Sequence, residues 1–426
     1  MKLLLTLALA IGFGFQATAQ AADEPLYWIK VKASDKFERT KVIETGAVIE
    51  AIRDDYVVAV GTEAEVEALR KLGMLETSFM YPMAKKDFPQ KDEKFHNYNE
   101  MLKAMQEIKA AGPDIVALES IGKSIEGRDL VNIRISTNLA QSSQKPGIVF
   151  IGTHHAREHL STEIPLMLAA YLVREFKNGN KDVQALVNSR EINIIPMLNP
   201  DGVEHDIATG NYQGWRKNRR KNANGTYGVD LNRNYSFKWS ETGASGNPSS
   251  DTYYGTAPFS EPETQAVKNF IETKENLNIA LSFHTFSELI LYPWGWTYDS
   301  ISDQKDKAAF EKMAQQMSTW NRYKPQPGSS LYLVSGEFTD WAYSQHKLFA
   351  FTFEMDPKFA FGIGGFYPGQ DVIPGVFAKN LPAALYLIGL ADNPYRVLTP
   401  QAELGLSTPF ARNENKDFGL STPLVQ

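Results

Sequence analysis

The chain has 426 residues, 43% hydrophobic and 12% aromatic, which is enough apolar material for a large core and, by length, for two or three units. A formal charge of −6, from 44 basic and 50 acidic residues, lacks the basic excess of a nucleic-acid surface, so nucleic acid is not an expected partner. With no cysteine, a disulfide framework and a lipid-modified N-terminal cysteine are both excluded.

Residues 1–21 read as a cleavable secretory signal: Met1-Lys2, an apolar run from Leu3 to Phe15, and the small-residue stretch QATAQAAD with A-x-A sites ending at Ala19 or Ala21. The run is too short to span a bilayer, and no later stretch approaches spanning length, so an exported mature form without a membrane span is expected, in the periplasm or the medium. The next segment contains LYWIKVKA and YVVAVGT, rich in strand-forming residues, and EAEVEALRKLG, a helical pattern ending at Gly73. The order strand, helix, strand, strand, helix, strand predicts a small ferredoxin-like α+β domain within residues 22–90. MAKKDFPQKDEK follows, a charged linker whose Lys85-Lys86 pair offers a site for proteolysis.

Between Phe95 and Ala391 strands and helices alternate. GIVFIG, EINIIPML, NIALSF, ELILYP and FAFTFEM read as strands; TEIPLMLAAYLVREF reads as a helix with Thr162 as its N-cap, and FAKNLPAALYLIGLAD as a terminal helix. This pattern predicts an α/β domain, residues 91–391, with a mixed central sheet and helices on both faces. Ligands gather at strand ends in such folds, and His155, His284 and Glu354 all fall there. From Asp392 the periodicity is lost, and GLSTP occurs twice, predicting a loosely ordered tail over 392–426.

The stretch THHAREHLS, residues 153–161, holds three of the seven histidines. As H-x-x-E-H it is the inverted zincin pattern, with His155 and His159 both binding metal; as H-x-x-E it supplies His155 and Glu158 and needs a third ligand from elsewhere. His284 in LSFHTFS suits that third place, whereas His96, His205 and His346 stand where surface or structural histidines are ordinary. Glu354 lies in an apolar strand, where a carboxylate is costly unless it has a task, while Phe351, Phe353 and Met355 read as core.

HHARE, NPDG, GWRKNRR, VDLNRN, SFHTFSELILYP, SGEFTDWAYSQHK and FTFEM, in this order, resemble the zinc metallocarboxypeptidases of the carboxypeptidase A type, in particular the secreted bacterial carboxypeptidase T branch. The likeness covers roughly residues 95 to 391, and the unit before it resembles that family's propeptide. It implies one Zn2+ per chain held by His155, Glu158 and His284, with His154 and His159 as neighbours; calcium is left open. It further implies Asp230 orienting the first zinc histidine, Glu354 as general base, Arg216 steadying the oxyanion, and Asn232 and Arg233 gripping the substrate's terminal carboxylate. Tyr332 matches a tyrosine that closes over that carboxylate, and Arg157 an outer-subsite arginine, while Lys217, Arg219, Arg220 and Lys221 read as a solvated basic loop. Side-chain preference would rest on Thr339, Glu337 at the pocket rim, Leu291 and Gly295, a set that predicts release of both hydrophobic and basic C-terminal residues. The implied protein is a monomeric zymogen acting on peptides with a free C-terminus, its propeptide covering the cleft until an activating protease cuts near residues 84–94. A cell-wall peptide or amide hydrolase on the same scaffold is the alternative enzyme. A silent binding protein is disfavoured, since every ligand and the base are present.

Overall fold

The computed structural model describes residues 26–52, 54–80, 87–358 and 365–399. The expected signal, the start of the linker at 81–86 and both GLSTP copies lie outside them. The chain divides into two compact units, Met1–Lys85 and Lys86–Gln426.

The first unit runs β1 (Leu26–Lys32), α1 (Lys36–Glu44), β2 (Val48–Ile52), β3 (Tyr56–Thr62), α2 (Glu63–Lys71), β4 (Leu75–Met80). Its antiparallel sheet has the order β2-β3-β1-β4, the ferredoxin-like arrangement expected from the element order. Ile29 and Val31 alternate with Lys30 and Lys32, and face Val57, Ala59 and Leu69 in the core. Helix α2 opens on a capping box, in which the Glu65 carboxylate accepts the Thr62 N–H at 2.5 Å.

The second unit runs α3 (Tyr98–Ala111), β5 (Val116–Lys123), β6 (Asp129–Ile135), β7 (Gly147–Gly152), α4 (Leu160–Lys177), α5 (Lys181–Ser189), β8 (Glu191–Ile195), α6 (Pro200–Asp206), α7 (Pro262–Glu272), β9 (Leu277–Thr285), β10 (Leu289–Tyr292), α8 (Gln304–Asn321), β11 (Lys324–Pro327), α9 (Phe338–His346), β12 (Phe349–Met355) and α10 (Ile373–Leu390). Its eight-stranded sheet is ordered β11-β10-β12-β9-β7-β8-β6-β5, with β12, β9, β7 and β8 parallel at the centre and antiparallel neighbours on each side. Both faces are covered. Ile148 and Phe150 of β7 belong to the core that also takes residues of α4, α8 and α10, while Val149 and Ile151 belong to the core that takes residues of α7 and α9. This two-sided burial is why GIVFIG is apolar throughout rather than alternating.

Four sequence expectations shift. Helix α4 starts at Leu160 rather than beyond Thr162, because the turn of 155–159 runs straight into it; the Thr162 hydroxyl instead meets that of Thr153 at 2.6 Å. The division after Lys85 leaves Phe88 in the larger unit, where its ring packs edge-on against His159. Beyond Asp392 the chain stays ordered through Pro394–Leu398, with the Tyr395 ring against Phe349. One stretch, Gln370–Leu390, is long and apolar enough to cross a bilayer, contrary to the sequence reading, but 67% of its most apolar window is buried in the core.

The parallel centre positions the chemistry. Register sets Glu354 of β12 beside His284 of β9, and Phe283 beside Gly152, the last residue of β7. A side chain at Gly152 would meet the Ser161 and Pro196 carbonyls at 2.1 and 2.3 Å, so only glycine lets the following loop fold back so closely.

Candidate metal and active site

The loop leaving β7 is tied to the first turn of α4 by the Thr153 amide, which donates to the Ser161 hydroxyl at 3.1 Å. Within it the Glu158 N–H donates to the His155 carbonyl, setting both side chains on one side of a turn. Nδ1 of His155 lies 2.8 Å from Glu158 Oε1, and Nδ1 of His284 lies 3.0 Å from Oε2. The two Nδ1 atoms are 3.1 Å apart. All three residues are buried, and their ligand atoms fall within 4.8 Å of one another. Two imidazole nitrogens and a carboxylate aimed at one point form the three-ligand N, N, O set of a catalytic zinc, so the residues fit that ion.

The far side of each histidine is also held. His155 Nε2 lies 3.2 Å from Asp230 Oδ1, and Asp230 Oδ2 accepts from Arg216 Nε at 3.0 Å and Nη2 at 2.8 Å. Burial opposes ionisation of Asp230, but Arg216, Arg233 and His155 outweigh it and hold the carboxyl well below its usual range. The same contest in Glu158, burial against His155 and His284, also favours the anion.

His159 is not part of this group. Its Nε2 is 2.8 Å from Asp206 Oδ2, and its ring is surrounded by Phe88, Tyr212 and Tyr367, so the inverted zincin arrangement is excluded. His96 pairs with Glu163 at 2.8 Å, His205 stands edge-on to Trp215, and His346 packs on Trp341.

A cavity of about 250 Å³ opens beside the three ligands. His155, Glu158, Arg216, Asn232, Arg233, Leu291, Tyr332, Glu337 and Glu354, all singled out in the sequence, line it. Burial, then the charge of Glu158, push Glu354 well above its ordinary range, against Arg216 and Arg233. A cation at the ligand group would offset the Glu158 contribution. Asn232 accepts the Phe338 N–H at 2.9 Å through its side-chain oxygen, leaving its amide NH2 as a donor. Arg233 is anchored through Nη1 on the Asn232 carbonyl at 2.7 Å. Tyr332 is 51% exposed, at the mouth.

Three expected residues, Thr339, Gly295 and Glu337, sit elsewhere than supposed. Arg157 is outside the cavity wall, donating to the Gly214 carbonyl at 3.1 Å with its guanidinium 4.2 Å above the ring of Phe366, which does line the cavity. Thr339 lies behind the wall, its hydroxyl 2.7 Å from that of Thr352, and Thr352 takes the lining position. Gly295 is not on the wall either; its N–H donates to Asp340 at 3.0 Å, and a side chain there would meet Glu337 Oε1 at 2.5 Å. Glu337 therefore belongs inside the cavity rather than at its rim. Burial pushes its carboxyl up to about 7, with Arg233 acting in the other direction.

Sequence reading missed Thr352, although it lies two residues before Glu354 on the same strand face. It also missed Phe286, Ser287 and Phe366, for which loop sequence carries no signal. Of the basic loop only Lys221 is exposed as expected: Lys217 is buried with Nζ donating to the Pro248 carbonyl, Arg219 lies over the Trp215 and Tyr227 rings, and Arg220 pairs with Glu261 at 2.9 Å.

Against known proteins, a profile described as zinc carboxypeptidase, peptidase family M14, matches residues 101–383. A zinc carboxypeptidase of Saccharothrix mutabilis subsp. capreolus is 32% identical over 421 residues, covering 92% of this chain and 95% of that protein. The chain belongs to the zinc carboxypeptidase family. Carboxypeptidase B of Astacus astacus is 31% identical over 66% of this chain and 91% of its own. Among solved structures, carboxypeptidase A from Helicoverpa armigera shares the fold with a TM-score of 0.62 at 23% identity, covering 86% and 97% of the two chains. Thrombin activatable fibrinolysis inhibitor does so at 0.65 and 22%, covering 87% and 99%. This zinc carboxypeptidase is accordingly a metallocarboxypeptidase, a zinc-dependent hydrolase of peptides, and His155, Glu158 and His284 form a group able to hold a metal.

Proposed function

We propose an exported carboxypeptidase, made as a zymogen, that releases both hydrophobic and basic residues from peptide C-termini. The observation that carries this reading is that Asn232, Arg233 and Glu337 share one cavity with His155, Glu158 and Glu354. The zinc, when bound, polarises the scissile carbonyl and lowers the pKa of the attacking water. Glu354 takes the proton from that water and delivers it to the departing amine. Arg216, kept charged by Asp230 and Glu158 despite burial, stabilises the oxyanion.

Arg233 and the Asn232 amide grip the terminal carboxylate. A guanidinium meets a carboxylate through two hydrogen bonds, and a chain running past that point would leave buried Arg233 unpaired. Glu337, titrating near neutrality, explains dual preference: its neutral form tolerates an apolar side chain beside Leu291 and Val334, and its ionised form attracts a cation.

The separate ferredoxin-like unit and the linker carrying Lys85-Lys86 support the zymogen reading, with residues 22–90 inhibitory and an activating protease cutting near 84–94. The test is release from blocked dipeptides ending in Leu, Phe, Arg or Glu, before and after limited proteolysis, with a chelated control. Activation on cutting, with Leu, Phe and Arg all released, is expected. Full activity of uncut protein would refute the zymogen, and strict preference for one class would refute the dual pocket.

A further inference from the structure

His154 stands beside the metal ligand His155 yet takes no part in the ligand group, and its surroundings are unusually polar for a buried core. Its Nδ1 lies 3.1 Å from the Ser282 hydroxyl, which lies 3.0 Å from Nε2 of the ligand His284. On the other side, His154 Nε2 is 2.9 Å from the Tyr235 hydroxyl. His154, Ser282 and Tyr235 are all 0% exposed. The chain Tyr235–His154–Ser282–His284 thus joins residues from three separate segments behind the metal site, Ser282 and His284 both lying on β9.

We propose that Ser282, His154 and Tyr235 form a directed hydrogen-bond relay that holds His284 in the tautomer able to bind metal, making His154 and Tyr235 positioning residues. A hydroxyl has one proton to give, so Ser282 donates to only one of its two ring nitrogens and accepts from the other. Were Ser282 to donate to His284 Nε2, the neutral His284 ring would carry its proton on Nδ1, directed at Glu158 Oε2 3.0 Å away, and that nitrogen would be closed to a metal. Metal binding requires the reverse: His284 Nε2–H donates to Ser282, and Ser282 donates to His154 Nδ1. His154 must then carry its own proton on Nε2. In a dry core that N–H needs an acceptor, and the Tyr235 oxygen supplies it.

Each ligand histidine therefore has a different support. His155 leans on the anion Asp230, whereas His284 leans on a neutral relay that adds no charge to the site. An apolar residue at 154 would leave Ser282 free to turn its proton toward His284.

The inference rests on His155, Glu158 and His284 holding the zinc. In the full chain loaded with zinc, 15N NMR is expected to show His154 as the Nε2–H tautomer, with a pyridine-type Nδ1. Chelator competition is expected to show zinc affinity reduced about tenfold in Ser282→Ala and severalfold in Tyr235→Phe, in line with the usual weight of groups that support a metal ligand. Ser282→Ala removes one buried oxygen, and Tyr235→Phe keeps the ring packed on Phe338 and Trp341, so thermal unfolding of the metal-free proteins serves as the control for folding. A His154 proton on Nδ1 in the loaded protein, or affinities within twofold of the parent in both variants, would overturn the relay. Parent protein that binds no zinc would overturn the ligand assignment as well.

Discussion

The two ends of the cavity are built on opposite rules. At the metal end each ligand is held on both sides: His155 between Glu158 and Asp230, His284 between Glu158 and Ser282, with Asp230 itself held by Arg216 and the Asn232 backbone N–H. At the specificity end, Glu337 is surrounded by burial and the distant charge of Arg233, while its neighbour Asp340 is engaged by the Gly295 and Trp296 amides. The first arrangement tolerates no variation in charge state, since the ligands must present lone pairs in fixed directions. The second leaves one carboxyl poised to change its charge near neutral pH. Precision is concentrated where bonds break, and adaptability where side chains are sorted.

The largest test of this contrast is Glu354→Gln. It keeps the cavity's shape and the ligand group but removes the proposed base, so kcat is expected to fall by about a thousandfold with zinc stoichiometry unchanged. Residual activity within tenfold of the parent would remove Glu354 from the mechanism. Next comes Arg233→Met. A buried charge that pairs with the substrate carboxylate is worth about 2 to 5 kcal/mol, so kcat/KM for blocked dipeptides should drop at least thirtyfold, and amidated substrates, poor from the start, should be far less affected. Equal losses on both substrates would show that Arg233 only supports the fold.

A third test addresses the adaptable end. The Glu337 carboxyl is raised to about 7 by burial, so it is mostly neutral at pH 6 and mostly ionised at pH 8. The ratio of kcat/KM for C-terminal Arg over Leu should therefore rise with pH through this window, by about tenfold if the charge contributes near 1.4 kcal/mol. Taking the ratio cancels effects on the shared catalytic groups. Glu337→Gln should flatten it, and a ratio that stays constant in the parent would break the proposed contrast.

The smallest effect concerns the paired hydroxyls of Thr352 and Thr339. Thr352→Val leaves the buried Thr339 hydroxyl without its partner and should cost about 1 to 3 kcal/mol of stability in denaturant unfolding, whereas changing both to valine should cost less than the single change. A double variant less stable than the single one would show that the pair is not what holds the cavity wall.

Much of the site was legible because its chemistry is carried by residue types that strands and turns rarely keep without a purpose. His155 and Glu158 are close in sequence, and Glu354 interrupts an apolar strand. Register and burial were harder to read. Thr339 and Thr352 are both near the pocket, but only the pairing of α9 against β12 decides which one faces the lumen. Lys217 and Arg220 read as solvated because charged loops usually are; partners at Pro248 and Glu261, distant in sequence, draw them inward.

By itself the sequence determined the element order of the small unit, the central strands of the larger one and the short-range half of the metal site, since all of these follow from periodicity and local spacing. The family resemblance had already set His159 aside in favour of His284, but only the tertiary structure placed His159 against Asp206 and His284 against Glu158, moved Glu337 from rim to interior, and gave His154 its partners. Those outcomes depend on parallel strands that meet across more than a hundred residues of chain, and no local pattern encodes which side chains such a meeting brings within 3 Å.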